Sequence, residues 1–357
     1  MNPFLSALAR KVTPYTPGEQ LNTPDLIKIN TNENPYPPSP KAIEAMQGVV
    51  NSTLRLYPQP DADEFIKAVA IVHDVSDDMV FAGNGSDEVL AFAFMAFFDP
   101  GRPIFFPDLT YSFYPVYADL FNLDTQQIPV RQDYSIYPPD YTGDNGGIVI
   151  ANPNAPTARS LPRFQVEQLI RNAPDSVVIL DEAYTIFSGE SMVDLTKKYD
   201  NLLVVNTLSK SHSLAGLRVG YAVGQPHLID GLNRIKNSFN SYTMDRVAIA
   251  GATAAMLDTQ YAADTARKII ATREAFCEKL TGLGFTYPPS SANFVLATHE
   301  SAHARDIFQR LRERGVLVRY FDLPRLDNSL RISIGTDEAM AKVGRILEDI
   351  VDELDIF

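Results

Sequence analysis

Cysteine is nearly absent from this chain of 357 residues, since Cys277 is the only one. A single thiol excludes an intrachain disulfide and a zinc cluster built from several cysteines. Long apolar runs are absent too, because the longest, Val89–Phe98, is about half of the ~20 residues that a membrane-spanning helix needs. The chain also does not open on a signal-peptide pattern. We therefore expect a cytoplasmic protein that does not insert into membranes.

Positive charge is scarce: 31 Lys and Arg residues stand against 44 Asp and Glu residues, a formal net charge of −13. A nucleic-acid surface needs clustered Lys and Arg, so we expect no nucleic-acid partner. The hydrophobic content of 45% is enough for a full core, which excludes a disordered chain. The composition therefore indicates a globular protein that acts on small molecules, and the length predicts about two domains.

Short apolar runs alternate with helical segments between about residues 40 and 240. Each run has the length of a strand that is buried on both faces, as in a parallel sheet. The runs are 79–82, 104–106, 148–151, 177–180 and 202–205. This alternation predicts an α/β fold with a mostly parallel central sheet, in which ligands bind beyond the carboxyl ends of the strands.

The pattern changes on either side of this region. Residues 1–40 are rich in Pro, Asn and Thr and predict an extended N-terminal arm that packs on the smaller domain. Residues 41–245 are predicted to form the large domain. Residues 246–357 mix helical periodicity with short strands and predict a smaller α+β domain.

Glycines and a helix start follow the first predicted strand, in the segment Gly83–Glu88. Glycines let the backbone approach a ligand closely, and Ser86 is predicted to cap the next helix. Free amides at a helix N-terminus suit a phosphate group. An ordinary strand-to-helix turn, with acidic residues facing the helix dipole, explains the same pattern, so this segment alone leaves both interpretations open.

Charged residues follow two later strands. Asp181 ends one strand, where a carboxylate either caps the next helix or faces a cationic ring, and Tyr184 comes three residues later. Lys210 follows another strand, where desolvation lets a lysine lose its proton and act as a nucleophile. A lone lysine is more often a solvated surface group. Arg218 is placed to meet the same anion as the turn at Gly85.

These loops together supply a reactive amine, a phosphate cradle with an arginine, and a carboxylate beside a phenol. That combination suits pyridoxal phosphate: Lys210 forms the Schiff base, Asp181 keeps the pyridine nitrogen protonated, and Tyr184 bonds the phenolic oxygen. ATP and dinucleotides fit less well, because no Gly-x-x-x-x-Gly-Lys-Ser/Thr loop is present and no Gly-x-Gly-x-x-Gly follows a strand.

Short stretches along most of the chain resemble, in order, the class I/II aminotransferases of pyridoxal-phosphate fold type I. The resemblance is greatest to the histidinol-phosphate aminotransferase group. The stretches are Asn32–Pro35, Tyr57–Pro58, Gly83–Glu88, Thr110–Ser112, Asn152–Asn154, Asp181–Tyr184, Ser209–Lys210, Ala215–Tyr221 and Leu330–Thr336. A series in the right order is far more specific than any single match.

The resemblance implies further roles around the cofactor. Tyr111 is expected to stack on the cofactor ring. Tyr57 is expected to reach the phosphate of the neighbouring subunit, which implies a homodimer with shared active sites. The residues expected to line the phosphate pocket are Gly85, Ser86, Asp87, Thr207, Ser209 and Arg218.

The resemblance also implies the substrate contacts. Arg331 is expected to bind the substrate carboxylate, or the phosphate that replaces it in histidinol phosphate, and Arg319 to provide a second anion contact. Alternation along the strand agrees, because Arg331 falls on the side opposite Leu330 and Ile332. Tyr15 and Asn34 are expected to close over the substrate.

The chain departs from the family at one loop. The family's usual Asn-Pro-Thr-Gly reads Ala155–Ala158 here, and alanine cannot make the hydrogen bond to the cofactor's phenolic oxygen that the asparagine makes. Asn154, one residue earlier, is the candidate substitute, and we expect it to contact the cofactor. The sequence leaves open whether it compensates.

The stretch His299–His303 matches His-Glu-x-x-His, the signature of zinc proteases. We expect no metal here. Thr298 is predicted to cap a helix, which would leave His299 in an exposed first turn, whereas catalytic zinc needs a dry cavity and a third ligand.

The predicted function is pyridoxal-phosphate-dependent transamination between an amino donor, with histidinol phosphate favoured, and the 2-oxo acid 2-oxoglutarate. An aromatic amino acid is the next donor. A decarboxylase or lyase of the same fold is an alternative, although an arginine that holds the substrate carboxylate disfavours its loss. A non-catalytic binding protein is a remote alternative, because Lys210, Asp181 and Arg218 are all present.

Overall fold

The computed structural model describes residues 4–16, 18–21 and 26–354. Residues 1–3, 17 and 22–25 of the predicted arm, and residues 355–357 of the predicted small domain, lie outside the described residues. The helices are α1 (Ala7–Lys11), α2 (Pro40–Val49), α3 (Asp63–His73), α4 (Gly85–Phe97), α5 (Phe113–Phe121), α6 (Arg163–Asn172), α7 (Leu208–Ser211), α8 (Pro226–Phe239), α9 (Arg246–Leu257), α10 (Thr259–Gly282), α11 (Ala304–Glu313) and α12 (Asp337–Glu353). The strands are β1 (Ile27–Lys28), β2 (Val80–Asn84), β3 (Ile104–Pro107), β4 (Thr125–Ile128), β5 (Gly147–Ala151), β6 (Val177–Asp181), β7 (Leu202–Thr207), β8 (Val219–Gly224), β9 (Phe285–Thr286), β10 (Phe294–His299), β11 (Val316–Leu317), β12 (Arg319–Tyr320) and β13 (Leu330–Ser333).

A seven-stranded sheet forms the centre of the larger part of the molecule. Its strand order is β2-β8-β7-β6-β5-β3-β4, and every neighbouring pair is parallel except those that include β8. Its side chains enter two cores in alternation: Val178 and Leu180 pack on one face, and Ile179 packs on the other. Burial on both faces explains why these strands are continuous apolar runs. The predicted α/β fold is therefore confirmed.

Two strands of this sheet do not appear among the predicted apolar runs. Strand β4 is an edge strand whose first three residues are exposed, so it carries no run of buried apolar side chains. Strand β8 runs antiparallel between β2 and β7. This direction brings the start of β8, which follows Arg218, to the same edge as the ends of β2 and β7.

A second, antiparallel sheet has the strand order β12-β13-β10-β9. Apolar side chains of α10, α11 and α12, among them Ile269, Ile307 and Leu347, form one core with it. The described part of the N-terminal arm joins this region, because β1 pairs in parallel with β11 and the amide of Ser333 donates to the carbonyl of Ile29 at 3.0 Å.

Helix α9 belongs to the core of the large sheet, although the predicted boundary at residue 245 assigns it to the small domain. It packs against α2 and α3, and Ala248 and Ala252 enter the same core as Val178. Small side chains on α9 permit this close packing. We therefore propose that the small domain begins after α9, near the start of α10.

His299 is placed differently from the prediction. It ends β10, paired with Phe285, and is buried rather than exposed in a helix turn. Its Nε2 donates to the carbonyl of Leu283 at 2.9 Å, and its Nδ1 accepts from the amides of Ser301 and Ala302. Helix α11 starts only at Ala304. The imidazole is thus a structural group, and no cluster of three or more His, Cys, Asp or Glu residues suited to a metal occurs among the described residues.

Of the helices within residues 4–16, 18–21 and 26–354, none has the length and apolar character needed to cross a membrane.

Candidate active site

A cavity of about 410 Å³ lies at the carboxyl edge of the large sheet, where residues of the second sheet also reach it. Its wall brings together most of the residues predicted from sequence. The predicted residues that line it are Tyr15, Ser86, Asp87, Tyr111, Asp181, Tyr184, Thr207, Ser209, Lys210, Arg218, Arg319 and Arg331. The predicted convergence of the strand ends on one site therefore occurs.

Lys210 is held in α7, the single helical turn that follows β7. The Oγ1 of Thr207 caps this turn by accepting from the amide of Ser209 at 3.2 Å. The Nζ of Lys210 donates to the carbonyl of Thr31 at 2.9 Å, and among the described residues no carboxylate pairs with it. Burial and the nearby Arg331 lower the pKa of Lys210 to about 8. About a tenth of the amine is therefore neutral at pH 7, far more than for an ordinary lysine, and this is the form that a nucleophile or base requires.

Asp181 is buried at the end of β6. Its Oδ2 accepts from the hydroxyl of Tyr114 at 2.9 Å and its Oδ1 from the amide of Ala183 at 3.1 Å. Burial raises the pKa of Asp181 to about 6, although both hydrogen bonds favour the ionised form. No basic side chain pairs with it in the described residues, so this carboxylate is suited to receive a cation from a ligand.

Tyr184 lines the same cavity and packs edge-on against Phe294, with ring centroids 5.1 Å apart. Its hydroxyl accepts a hydrogen bond from the Nδ2 of Asn32 at 2.9 Å. Burial raises the pKa of Tyr184, so the phenol keeps its proton at neutral pH. It is thus a neutral donor beside Asp181 and Lys210.

Arg218 and Asp87 form an ion pair at 3.1 Å on the floor of the cavity. The second oxygen of Asp87 accepts from the hydroxyl of Tyr111 at 2.8 Å, and the Nη1 of Arg218 donates to the Oγ of Ser209 at 3.3 Å. The carboxylate of Asp87 thus orients Arg218 and Tyr111.

Two glycines bring the backbone close to this arginine. Gly85 has φ +80°, and a Cβ on it would lie 2.6 Å from the Nη2 of Arg218. A Cβ on Gly220 would lie 2.4 Å from the carbonyl carbon of Gly85. Gly85 is the first residue of α4, so the predicted cap at Ser86 is wrong: Asn84 precedes the helix, and Ser86 lies in its first turn. The helix N-terminus and Arg218 still lie together, as a phosphate site requires.

Arg331 of β13 reaches the cavity from the second sheet. Its Nη2 donates to the carbonyl of Asn30 at 2.9 Å, whereas its buried Nε has no hydrogen-bond partner. The guanidinium lies over the rings of Phe294 and Phe321, at 5.3 and 5.5 Å from their centroids. Burial lowers the pKa of Arg331, and no described carboxylate pairs with it. A half-buried cation without a charged partner is suited to an anionic ligand group.

Arg319 and Tyr15 complete this side of the cavity. The Nη2 of Arg319 donates to the carbonyl of Thr16 at 3.2 Å, and the ring of Tyr15 stacks on Phe113 with centroids 4.4 Å apart. Both residues line the cavity, so the described part of the N-terminal arm contributes to its wall.

Four predicted residues lie outside the cavity lining: Asn154, Asn34, Gly85 and Tyr57. The Nδ2 of Asn154 donates to Leu109 and Thr157, and its Oδ1 accepts from Thr110, so this amide braces the loop.

Asn34 and Tyr57 have different surroundings. Asn34 contacts the backbone of the lysine, because its Nδ2 donates to the carbonyl of Lys210 at 3.1 Å. The side chain of Tyr57 is 79% exposed and stacks on Tyr242.

Sequence reasoning did not identify Tyr114 and Asn32 as site residues. Tyr114 lies in the first turn of α5, three residues after Tyr111, and the two ring centroids are 5.7 Å apart, so a second tyrosine soon after Tyr111 is a usable signal. Asn32 carries no such signal. Its backbone has φ 55°, and its amide donates to the hydroxyl of Tyr184, which is 152 residues away in the chain.

The sequence pattern of the family "Aminotransferase class I and II" matches residues 24–347. The chain therefore belongs to the class I and II aminotransferases. It is an enzyme, and its cofactor is pyridoxal phosphate.

The chain is similar to particular members of that family. It is 52% identical over 342 residues to the histidinol-phosphate aminotransferase of Clostridium acetobutylicum, covering 96% of this chain and 97% of the relative. It is 50% identical to histidinol-phosphate aminotransferase 1 of Hydrogenovibrio crunogenus, over 98% and 99% of the two chains. The fold matches that of Sinorhizobium meliloti histidinol-phosphate aminotransferase in complex with pyridoxal-5'-phosphate, with a TM-score of 0.82, 22% identity and coverage of 92% and 91%.

The residues around the cavity fit this cofactor. A half-buried lysine without an acidic partner can bond to an aldehyde, and a buried carboxylate without a basic partner can hold a pyridinium nitrogen. The space beside Arg218 exists because Gly85 and Gly220 have no side chains. An amine, a carboxylate and a phosphate cradle thus meet in one cavity.

Proposed function

We propose that this chain transfers the amino group of histidinol phosphate to 2-oxoglutarate, and that it does so as a homodimer with shared active sites. Relatives with 50% identity or more over nearly their whole length carry the name histidinol-phosphate aminotransferase, which supports this donor. The structural observation that carries the proposal is Arg331, a half-buried guanidinium without an acidic partner among the described residues, which lines the cavity and whose buried Nε has no hydrogen-bond partner.

Two anion sites in one cavity explain the choice of substrates. The first lies at Arg218 and the N-terminus of α4 and is assigned to the cofactor phosphate. The second lies at Arg331 and Arg319, on a different sheet, and is assigned to the substrate anion. Arginine forms bidentate bonds to both phosphate and carboxylate, so this site accepts the phosphate of the donor and the carboxylate of the 2-oxo acid in turn.

Lys210 is the proposed nucleophile and base. Pyridoxal phosphate, once bound, takes up the electrons released when the donor loses its α-proton. Lys210 would hold the cofactor through a bond from its neutral Nζ to the aldehyde carbon, with loss of water. Once the donor amine has taken its place, the freed Nζ would take the α-proton and return it to the reactive carbon of the cofactor. The bond from Nζ to the carbonyl of Thr31 fixes where the amine lies before it reacts.

Asp181 and Tyr184 are proposed to hold two polar atoms of the cofactor ring. Asp181, oriented by Tyr114, would accept from the protonated pyridine nitrogen, and the cation would in turn favour the ionised carboxylate. Tyr184 donates to the phenolic oxygen. Since Ala155 has no donor and the amide of Asn154 is occupied within its own loop, we assign Asn154 a bracing role instead of a cofactor contact.

The phosphate cradle and the ring stack are linked through Asp87. The carboxylate fixes Arg218 for the phosphate and holds the hydroxyl of Tyr111, whose ring is proposed to lie on the cofactor. The proposed hydroxyl donors to the phosphate are Ser86 and Ser209; Thr207 lines the cavity beside them, and its hydroxyl donates to the carbonyl of Val219 at 3.0 Å. Ser86 and Ser209 lie at helix starts, where the dipole also favours an anion.

Tyr57 is proposed to act in the neighbouring subunit. It lies outside its own cavity, while its carbonyl accepts from the Nη2 of Arg246 at 3.0 Å and its ring is exposed. The exposed apolar residues nearby in sequence or in contact with it are Val50, Leu54, Leu56 and Tyr242. Exposed apolar side chains of this kind are typical of a subunit interface.

An amino-donor panel with 2-oxoglutarate tests the substrate assignment. We expect histidinol phosphate to give the highest kcat/KM, ahead of phenylalanine, tyrosine and phosphoserine. The aromatic wall that Tyr15 and Phe321 contribute favours an aromatic amino acid as the second donor. A higher kcat/KM for phenylalanine would contradict the proposal, and so would release of carbon dioxide, in place of a 2-oxo product, from the amino acids in the panel.

A further inference from the structure

Asn32 is buried between the second sheet and Tyr184, with 1% of its surface exposed. It belongs to the N-terminal segment and has a backbone φ of 55°, a conformation that asparagine tolerates better than most residues. Asn32 is not among the residues that we assigned from sequence. Its side chain nevertheless provides the only hydrogen bond to the Tyr184 hydroxyl among the described residues.

The orientation of the Asn32 amide follows from its other partner. The Oγ of Ser333 accepts from the backbone amide of Asn32 at 2.9 Å, so the hydroxyl hydrogen of Ser333 is free to be donated. It goes to the Oδ1 of Asn32, at 2.8 Å. The oxygen of the amide is thus fixed on the side of Ser333, and the NH₂ group points to Tyr184.

The proton of Tyr184 is placed by the same reasoning. An amide NH₂ can only donate, so the Tyr184 oxygen accepts at 2.9 Å from Nδ2. The phenolic hydrogen then has no acceptor among the described residues, and Tyr184 lines the cavity.

The backbone of Asn32 is fixed independently of its side chain. The Nδ2 of Asn293 donates to the carbonyl of Asn32 at 3.0 Å, and Asn293 is fully buried. The neighbouring Thr31 carbonyl accepts from the Nζ of Lys210. The segment therefore remains anchored when only the amide of Asn32 is removed.

We propose that Asn32 is a positioning residue that turns the hydroxyl hydrogen of Tyr184 into the cavity, toward the phenolic oxygen of bound pyridoxal phosphate. This inference rests on the proposed role of Tyr184 as the donor to that oxygen. A hydrogen bond from the Tyr184 hydroxyl stabilises the ionised form of the phenolic oxygen. It therefore lowers the midpoint pH at which the visible absorbance of the bound cofactor changes. Loss of the Asn32 amide, which orients that hydroxyl, raises this midpoint pH.

The test is a spectrophotometric pH titration of the holoenzyme without substrate. Tyr184→Phe removes the donor, and we expect the midpoint to rise by roughly one pH unit. Asn32→Gly removes the orienting amide, suits the positive φ and adds no charge, and we expect about half of that rise. Ser333→Ala, which releases the Oδ1 of Asn32, shifts the midpoint in the same direction and decides the case if Asn32→Gly does not fold.

The matched control is Asn122→Gly. Asn122 is also an asparagine at φ 55°, at the end of α5, and its Oδ1 accepts from the exposed Lys11. We expect no shift for this variant. In the Tyr184→Phe background, Asn32→Gly should add nothing further, because its effect passes through the hydroxyl that is no longer there.

The outcomes separate the inference from the proposed function on which it rests. An unchanged midpoint in Asn32→Gly, with a raised one in Tyr184→Phe, overturns the role of Asn32 alone. An equal shift from Asn32→Gly with and without the hydroxyl also overturns it, since Asn32 would then act by another route. An unchanged midpoint in Tyr184→Phe overturns the assignment of Tyr184 and the inference with it.

Discussion

At the scale of single residues, the site depends on ionisable side chains that have no oppositely charged partner among the described residues. Lys210, Asp181 and Arg331 are each buried or half-buried, and none has an ion-pair partner among the described residues. Burying an unpaired charge is costly unless a ligand compensates for it. The three groups together therefore define complementary positions for an aldehyde, a cation and an anion.

The pKa of Lys210 predicts how cofactor attachment depends on pH. Because the folded-state pKa is lowered from 10.5 to about 8, the neutral amine that reacts is scarce below this pH and predominates above it. We expect the rate at which pyridoxal phosphate attaches to cofactor-free protein, followed by visible absorbance, to rise with pH with a midpoint near 8. A midpoint near 10.5 would mean that burial does not act on this amine.

Arg331→Lys tests the proposed substrate anion site. Lysine keeps the charge but loses the bidentate geometry, so we expect KM for histidinol phosphate to rise by roughly tenfold or more, while cofactor binding stays the same. The control Arg305→Lys alters an exposed pair with Asp322 and should leave KM unchanged. Unchanged kinetics in Arg331→Lys would remove this residue from the substrate site.

At the scale of elements, the sequence predicts best where burial dictates the residue types. The buried strands at the centre of the sheet are continuous apolar runs, and their carboxyl ends meet at one cavity, where the sequence predicts the site. Strand β4 cannot be recognised from an apolar run, because its exposed residues Thr125–Gln127 need not be apolar. Strand β10 likewise extends to His299, because His299 pairs with Phe285 on the neighbouring strand. Local helix signals cannot reveal such a tertiary pairing.

The site shows the same division between local and tertiary information. The positions of Lys210, Asp181 and Arg218 at the cavity are predictable, because each lies at or beside one end of a buried strand. Asn32 is not, because its role depends on Ser333, which is 301 residues away in the chain. Contacts of this kind are set by how the N-terminal segment packs on the second sheet, and no local pattern encodes that packing.

The close approach of β8 to the start of α4 predicts that Gly220 is required. A Cβ there would lie 2.4 Å from backbone atoms of Gly85 and Ser86, so Gly220→Ala must displace the phosphate cradle. We expect the thermal unfolding midpoint to fall by about 4 °C, and the affinity for pyridoxal phosphate to fall with it. The control is Gly216→Ala in the same motif, where a Cβ meets no atom within 4 Å. Equal unfolding midpoints and equal cofactor affinities in the two variants would contradict this prediction.

At the scale of the whole molecule, the site joins two sheets and, as proposed, two subunits. The large sheet provides the groups assigned to the cofactor, and β13 provides Arg331. The segment from Asn30 to Asn34 lies between them and contacts Arg331, Tyr184 and Lys210. The domain boundaries, the shared dimer site and the expected cytoplasmic location stay predictions.

Subunit mixing tests the shared site. A dimer that combines Lys210→Ala with Tyr57→Phe contains one site with an intact lysine and an intact tyrosine from its neighbour. We therefore expect mixed dimers, at limiting pyridoxal phosphate, to exceed the mean activity of the two parent dimers. Activity equal to that mean, or a monomeric mass by sedimentation, would contradict the dimer proposal.

The covalent link between the cofactor and Lys210 is the central claim, and borohydride reduction tests it most directly. Reduction of the yellow holoenzyme, followed by proteolysis and mass spectrometry, should find the pyridoxyl phosphate group on the peptide that contains Lys210, and Lys210→Ala should remain unlabelled. Labelling of another lysine, or no labelling after added cofactor, would contradict the account.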